Sequence, residues 1–431
     1  MLQWKYAVLS IMTIKLRFCC ISLLTVVLFG LNANAQARDI LTLAQAERLV
    51  LESDPLIARN RANQLALSDQ AVAAYAWPDP KLRFGVSNIS ADTWDFEQEN
   101  MTQGVIGLSQ SFPPAGTVGA KRDQLMALSD SQGHAVDNQV LQSLNKLRSS
   151  WLEVYLQYQS EILVKESLDT FSQLKDVTRF QYRSGRGKQH DVVRAQLEEI
   201  RMQDRVSDIH MRWESALAQL RKWLGRSNYT ENLDMNFPEL PEVSTKANIS
   251  EALEEHPWML IAKARMTAAK NGVQFADSQH NPGWMLDIKY GYRGKNELEE
   301  DRDDLVSAMI TMDMPMFTGR KQGKMLRASK SQLRAAQDEL DERRRLMLRM
   351  LEDSIAKYER NKERVSLFDS ALLPQSKQNV EATVNAYQSG VSDFNELVRA
   401  RLTELDSRLQ YLKLKVDQAK AQVSLLYLAG G

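Results

Sequence analysis

The groups in this 431-residue chain that could do chemistry are five histidines, a scatter of methionines and two runs of carboxylates. His134, His190, His210, His256 and His280 are dispersed, and none stands at metal-ligand spacing from another histidine or a cysteine. They read as solvated or internally satisfied side chains. Met312, Met314 and Met316 alternate, and thioethers favour soft ions such as Cu(I). Methionine is equally a flexible hydrophobe, so core or lipid contact is the reading favoured here. Asp92, Asp95, Glu97 and Glu99 form one acidic run, and Glu297, Glu299, Glu300, Asp301, Asp303 and Asp304 another; both read as solvated loops rather than cation sites. No Gly-x-x-x-x-Gly-Lys loop occurs, so nothing marks this chain as hydrolysing nucleotides. No catalytic residue, metal-ligand set or cofactor is assigned, and the chain reads as something other than an enzyme.

Composition narrows the class further. Fifty-five basic residues balance fifty-five acidic ones, which leaves no electrostatic footprint for nucleic acid. Lys15 and Arg17, the apolar run 21–31, and Ala33-Asn34-Ala35 before Gln36 follow the export pattern of charge, greasy core and small residues, so 1–35 is expected to be a signal peptide, with Met1 or Met12 as its start. An anchoring helix is the alternative, and the apolar stretch is short for a bilayer. Both cysteines, Cys19 and Cys20, lie inside this segment, so the exported chain would have no thiol and a net charge of −3.

The elements that must position any site are set by an internal repeat. Asp54-Pro55 returns as His256-Pro257, Asp79-Pro80 as Asn281-Pro282, and Phe112-Pro113 as Met314-Pro315, each 202 residues on. At offset 205, Tyr182-Arg183-Ser184-Gly185 returns as Tyr387-Gln388-Ser389-Gly390, and 191–197 as 396–402. Landmarks that keep order and spacing imply two copies of one unit, each needing its twin to bury its faces. The boundaries read as 36–225 for the first copy, 226–247 for a connector holding Pro238 and Pro241, and 248–431 for the second.

Within each copy the hydrophobic period changes. Leu144, Leu147, Trp151, Val154 and Tyr158, then Leu168, Phe171, Leu174 and Val177, recur at helical spacing, predicting a helix over 121–181 that is roughly 90 Å long. A return helix is predicted over 191–224. The second copy repeats this over 323–387 and 393–428, with Pro374 expected to kink or break the first arm. Shorter helices open each copy, after capping boxes at Thr42 with Gln45 and at Asn248 with Glu251. Period two marks strands over 82–86, 105–112, 284–292 and 306–314, and adding 202 maps apolar face onto apolar face. A membrane barrel strand alternates in this way, but the smallest barrels use about eight strands, so four imply assembly with further copies.

An exported chain with two copies of helix, strand pair and long helical hairpin resembles the TolC-like outer-membrane efflux family over nearly its whole length. Tyr-x-x-Gly before a helix with Val-x-x-Ala or Val-Arg-Ala, at 182–195 and 387–400, looks like the family's two periplasmic hairpin tips. Trp77-Pro78-Asp79-Pro80-Lys81-Leu82, Met101-Thr102 and Gln110-Ser111-Phe112-Pro113 look most like its heavy-metal branch. The resemblance implies a mainly α fold with membrane β: long helical hairpins building a periplasmic α-barrel, and four transmembrane strands per chain in a twelve-stranded β-barrel made by a homotrimer. It implies a passive duct in outer-membrane lipid, docked on a periplasmic adaptor (a membrane fusion protein) and an inner-membrane transporter of the RND type, with copper or silver ions as cargo. The same duct for drugs or type I secretion, and a soluble periplasmic coiled-coil scaffold, are the alternatives. By the same resemblance Gly185, Arg186, Gly187, Gly390, Val391 and Ser392 form the adaptor-docking tips, although Gly185-Arg186-Gly187-Lys188 puts a cation where an apolar residue is usual. Asp191, Tyr387 and Glu396 fall at the family's gate positions, but Ser392 and Arg399 depart from its pattern, so the expectation is a rearranged gate in which Arg194 or Arg399 pairs with Asp191 or Glu396 of a neighbour, with ordinary solvated helix charges as the alternative.

Overall fold

The computed structural model describes residues 40–225, 232–296, 298 and 300–430. The expected signal peptide, both cysteines, part of the connector, Glu297 and Glu299 lie outside the described residues. A small unit holds the chain around Leu41 and Leu233, where Leu41 N donates to Asn232 O at 2.8 Å and Asp234 N donates to Leu41 O at 2.9 Å. All the helices and strands below belong to the second unit, Leu43–Ser227 with Met235–Gly431.

The first copy runs α1 (Leu43–Ser53), α2 (Pro55–Tyr75), β1 (Lys81–Ser87), β2 (Gln103–Phe112), α3 (Thr117–Arg183) and α4 (Gln189–Leu224). The second runs α5 (Lys246–Ala252) with a 3-10 turn Leu253–Glu255, α6 (Pro257–Ser278), β3 (Trp284–Tyr292), β4 (Leu305–Met312), α7 (Gln322–Leu367), a π turn Phe368–Leu372, α8 (Leu373–Gln388) and α9 (Phe394–Ala429). At 67 residues, α3 is a rod of about 100 Å. No helix among the described residues is long and apolar enough to cross a membrane.

Pro374 does not break the second long arm. Segments of 46, 5 and 16 residues, together as long as α3, carry the helix through it. The wider hydrogen-bond step of the π turn takes up the missing proline N–H one turn before it is needed. The cap expected at Asn248 lies three residues earlier: Thr245 accepts from the Asn248 amide, and α5 starts at Lys246. α1 begins at Leu43, directly after Thr42.

The shared Asp54-Pro55 and His256-Pro257 landmarks are helix caps. Each side chain accepts the amide two residues on, Leu56 N to Asp54 Oδ1 at 2.8 Å and Trp258 N to His256 Nδ1 at 3.1 Å, and the proline sits where a helix has no use for an N–H. Burial alone would raise the Asp54 pKa, but hydrogen bonds from Ser143, Leu56 and Gln139 outweigh it and hold the carboxyl below its usual value. His256 is 2% exposed, and its Nε2 lies 2.9 Å from Tyr427 O. Because Nδ1 accepts from Trp258, the one ring proton must sit on Nε2 and donate to that carbonyl, so the cap requires a neutral imidazole.

Burial pushes the His256 pKa below 6.5, against the smaller opposing pull of Tyr427 O. The unfolded chain therefore takes up a proton before the folded one does. Stability is complete above about pH 6.5 and is lost as pH falls through the lower folded value. Calorimetry from pH 7.5 to 5 should show the unfolding temperature falling more steeply for the natural chain than for His256→Asn, which keeps a neutral cap. Equal slopes would contradict this reading.

Packing along the rods is continuous. α3 lies against α2, α4, α6 and α9, and α7 against α6 and α9. Leu147, Trp151, Val154 and Phe171 of the predicted stripe are buried, whereas Val177, near the end of α3, is exposed. One cluster joins Val164 and Phe171 to Ala195, Met202, Phe394 and Val398; another joins Leu152 and Leu156 to Val416 and Val423.

The four strands form one antiparallel sheet in the order β1-β2-β3-β4. Register aligns one apolar face across it: Phe84 opposite Ile106, Ile106 opposite Tyr290, and Tyr290 opposite Val306. The next row is Leu82, Leu108, Ile288 and Ala308. That face is bare, with Phe84 85% and Ile310 70% exposed. The described carboxylates of both acidic runs lie exposed in the loops between paired strands, and Arg302 of the second loop donates to Glu97 O and Glu99 O of the first at 2.8 and 3.0 Å.

Candidate functional site

The two hairpin turns are the same loop built twice. α3 ends at Arg183, and Gly185 turns the chain at φ +74°, a conformation that only glycine adopts without strain. Ser184 N donates to Phe180 O at 3.0 Å, Gly185 N to Tyr182 O at 3.0 Å, and the Arg186 and Gly187 amides both to Gln181 O. Adding 205 to every number gives the second turn. Ser389 N donates to Asn385 O, Gly390 N (φ +78°) to Tyr387 O, and the Val391 and Ser392 amides both to Ala386 O. These six-to-one and neighbouring bonds satisfy the last carbonyls of each helix.

The side chains differ where the backbones agree. Val391 is 84% exposed, an apolar group held out in water, and its counterpart is the cation Arg186. A side chain at Gly187 would begin 2.9 Å from Tyr182 N, whereas its counterpart in the second turn is Ser392. Asp393 caps α9 by accepting from Glu396 N at 2.9 Å, a bond that holds its carboxyl below the usual range; its counterpart Lys188 caps nothing.

Just above the turns lie the residues expected to constrict a mouth. The Tyr387 hydroxyl donates to Gln181 Oε1 at 2.9 Å and its ring leans on Phe394 at 6.1 Å. Burial raises the Tyr387 pKa, with the Asp191 charge adding to it. Asp191 is largely covered and pairs with His190 Nε2 at 3.1 Å. Glu396 is exposed and accepts from Ser392 Oγ at 2.5 Å. Arg194 and Arg399 are exposed, and among the described residues neither makes an ion pair within the chain. The structure thus brings Tyr387 and Asp191 together, pins Glu396 to Ser392, and leaves both arginines facing outward. Gln181 was missed in the sequence because an uncharged helix residue beside a tyrosine carries no spacing signal.

The residues behind the heavy-metal resemblance are braces at the two ends of the β1-β2 pair, Trp77, Pro78, Gln110 and Phe112 at one and Thr102 at the other. Trp77 meets Phe112 edge-on at 5.2 Å, and Gln110 Nε2 donates to Pro78 O at 2.8 Å. Thr102, fully buried, donates to Asn88 O at 2.8 Å. Met312, Met314 and Met316 are all exposed. No group of three or more His, Cys, Asp or Glu among the described residues could hold a metal ion.

Comparison with known proteins gives the architecture a family. Residues 47–226 and 248–431 each match the outer membrane efflux protein family. No curated protein matches. Among solved structures, the outer-membrane channel OprN is 17% identical, with a TM-score of 0.75 over 90% of each chain. The outer membrane protein VceC from Vibrio cholerae is 16% identical, with a TM-score of 0.77 over 90% of this chain and 96% of its own. CusC, described as undergoing conformational changes on folding and transmembrane channel formation, is 14% identical, with a TM-score of 0.75 over 90% and 92%. Identities this low speak to the fold, while the family match covers both copies and most of the length. With the tandem hairpins and the four-stranded sheet already in view, the chain belongs to the outer membrane efflux protein family.

Proposed function

We propose that this chain is one subunit of a trimeric duct that carries expelled molecules across the periplasm and out through the outer membrane. Family members are channels rather than enzymes; they are trimeric and work with adaptors and inner-membrane transporters. The observation that carries the reading is the sheet. It presents a face that is apolar in every row except at Gln110, and β1 and β4 each pair on one side only. In lipid an open edge is untenable, since its N–H and C=O groups have no partner. Strand directions alternate along the sheet, so β4 of one copy can pair antiparallel with β1 of the next. β3, with nine residues, is close to the roughly 9–11 that a tilted membrane strand requires, with Trp284 at one end and Tyr290 and Tyr292 at the other as interfacial anchors.

On this reading the copies are the repeat units 36–225 and 248–431, and Gly185 to Gly187 and Gly390 to Ser392 meet the periplasmic adaptor, Val391 as an apolar knob and Arg186 as a charged one. Asp191, Arg194, Tyr387, Glu396 and Arg399 form the mouth, with the outward arginines reaching carboxylates of the neighbouring subunit. Exposed ion pairs contribute about 0–1 kcal/mol each, so such a lock depends on threefold repetition.

Copper or silver as cargo rests on the resemblance alone, and no ligand group supports it. A strain lacking this chain, challenged with copper, silver, zinc, cobalt and toxic organic compounds, distinguishes the cargoes. Metal sensitivity is the expected outcome for a metal duct; unchanged metal tolerance with sensitivity to organics would remove that assignment. Recovery of the chain in the soluble periplasm would favour the scaffold alternative.

A further inference from the structure

All four charged residues of the sheet, Lys81, Arg83, Asp287 and Lys289, lie on the face opposite the apolar one. If the apolar face meets lipid, this face lines the pore, so the inference rests on the duct reading above. Three of the four charges are cations, a surplus of two per subunit.

The arrangement is built. Arg83, Gly107, Lys289 and Ser307 form one cross-strand row, and Asp287 sits in the next, opposite Ser109. Gly107 supplies the space: a Cβ there would lie 3.2 Å from Lys289 Cγ and 3.3 Å from Ile288 O. Through that gap the Arg83 guanidinium reaches Asp287 Oδ2 at 3.2 Å, and the Lys289 ammonium stands 3.7 Å from Oδ1. The carboxylate is sunk, with 6% of its side chain exposed, whereas Arg83 and Lys289 keep 52% and 42%. A passing molecule therefore meets the cations, while the anion that holds them is covered. The acidic loops begin about 13 Å further along β1, past Ser87, and about 10 Å further along β4, at Asp304, both beyond the Debye length of about 8 Å at physiological salt.

We infer that Arg83 and Lys289, seated on the buried Asp287 carboxylate and repeated in each subunit, form a cationic ring inside the barrel that binds organic anions in transit. Charge of one sign on a low-dielectric wall concentrates the opposite ion and repels its own. Carboxylate-bearing molecules, rather than free metal cations, are the cargo class this ring favours.

The test uses the full chain in planar lipid bilayers, with citrate as the probe on the loop side. Citrate should interrupt the current of the natural channel. Arg83→Gln with Lys289→Gln should abolish that block and lower the anion-to-cation permeability ratio in a potassium chloride gradient by about twofold or more. Thr311→Gln, a neutral change on the same face, should leave both unchanged. If the double variant does not insert, Lys289→Gln alone serves, because Arg83 keeps its partner; it should weaken the block. Channels of normal conductance whose block and permeability ratio ignore these changes would overturn the ring. Failure of the natural chain to form any channel would overturn the duct reading itself, and the ring with it.

Discussion

Gly390→Pro is expected to abolish efflux while the protein still reaches and spans the outer membrane. Gly390 sits at φ +78°, and its amide donates to Tyr387 O at 3.1 Å. Proline fixes φ near −65° and has no N–H, so the substitution removes both the turn and the bond. The same loop in the first copy makes Gly185→Val its companion, since a β-branched residue at φ +74° is strained by roughly 1–3 kcal/mol. Neither change touches the sheet, which belongs to different elements of each copy. Resistance conferred by the variants should fall to that of a strain lacking the channel, with outer-membrane abundance unchanged. Normal resistance from both would show that these turns are not where the adaptor engages.

Ile288→Arg should prevent assembly. Ile288 lies mid-sheet on the bare apolar face, between Leu108 and Ala308, and is 46% exposed. An arginine facing lipid near the bilayer midplane costs about 2–4 kcal/mol, and a trimer bears it three times, for roughly 6–12 kcal/mol in all. That is comparable to the whole stability of an ordinary domain. Thr311→Lys on the opposite face, exposed and pore-lining in this account, is the control and should assemble normally. Sedimentation of detergent-solubilised trimer measures both. Equal assembly of the two variants would mean that the apolar face does not meet lipid.

Much of this architecture was legible in the sequence because two periods sit side by side in it. The strands came out at Lys81–Ser87, Gln103–Phe112, Trp284–Tyr292 and Leu305–Met312, within a few residues of their predicted ends, since a face with lipid on one side must alternate strictly. The long helices were equally plain, because their stripe must stay in register over many turns. What could not be read was local accommodation. Pro374 signals a break to any sequence argument, yet a π turn just upstream carries the helix past it. Asp54 and His256 were visible as repeated landmarks without their role, because a histidine cap depends on burial and on a carbonyl 171 residues away. At the turns the glycines were legible from φ requirements, whereas the pairing of Tyr387 with Gln181 arises across two hairpin arms that only the fold brings together. The cationic pair over Asp287 was hidden for a similar reason: Arg83 and Asp287 come from different copies, joined through a glycine on the strand between them.

The most direct measurement is electron microscopy of the full chain purified in detergent. Three copies ringing one channel should appear as an elongated hollow cylinder with threefold symmetry, its helical part about 100 Å long as α3 requires. Compact, water-soluble monomers with no central channel would contradict the account at its root.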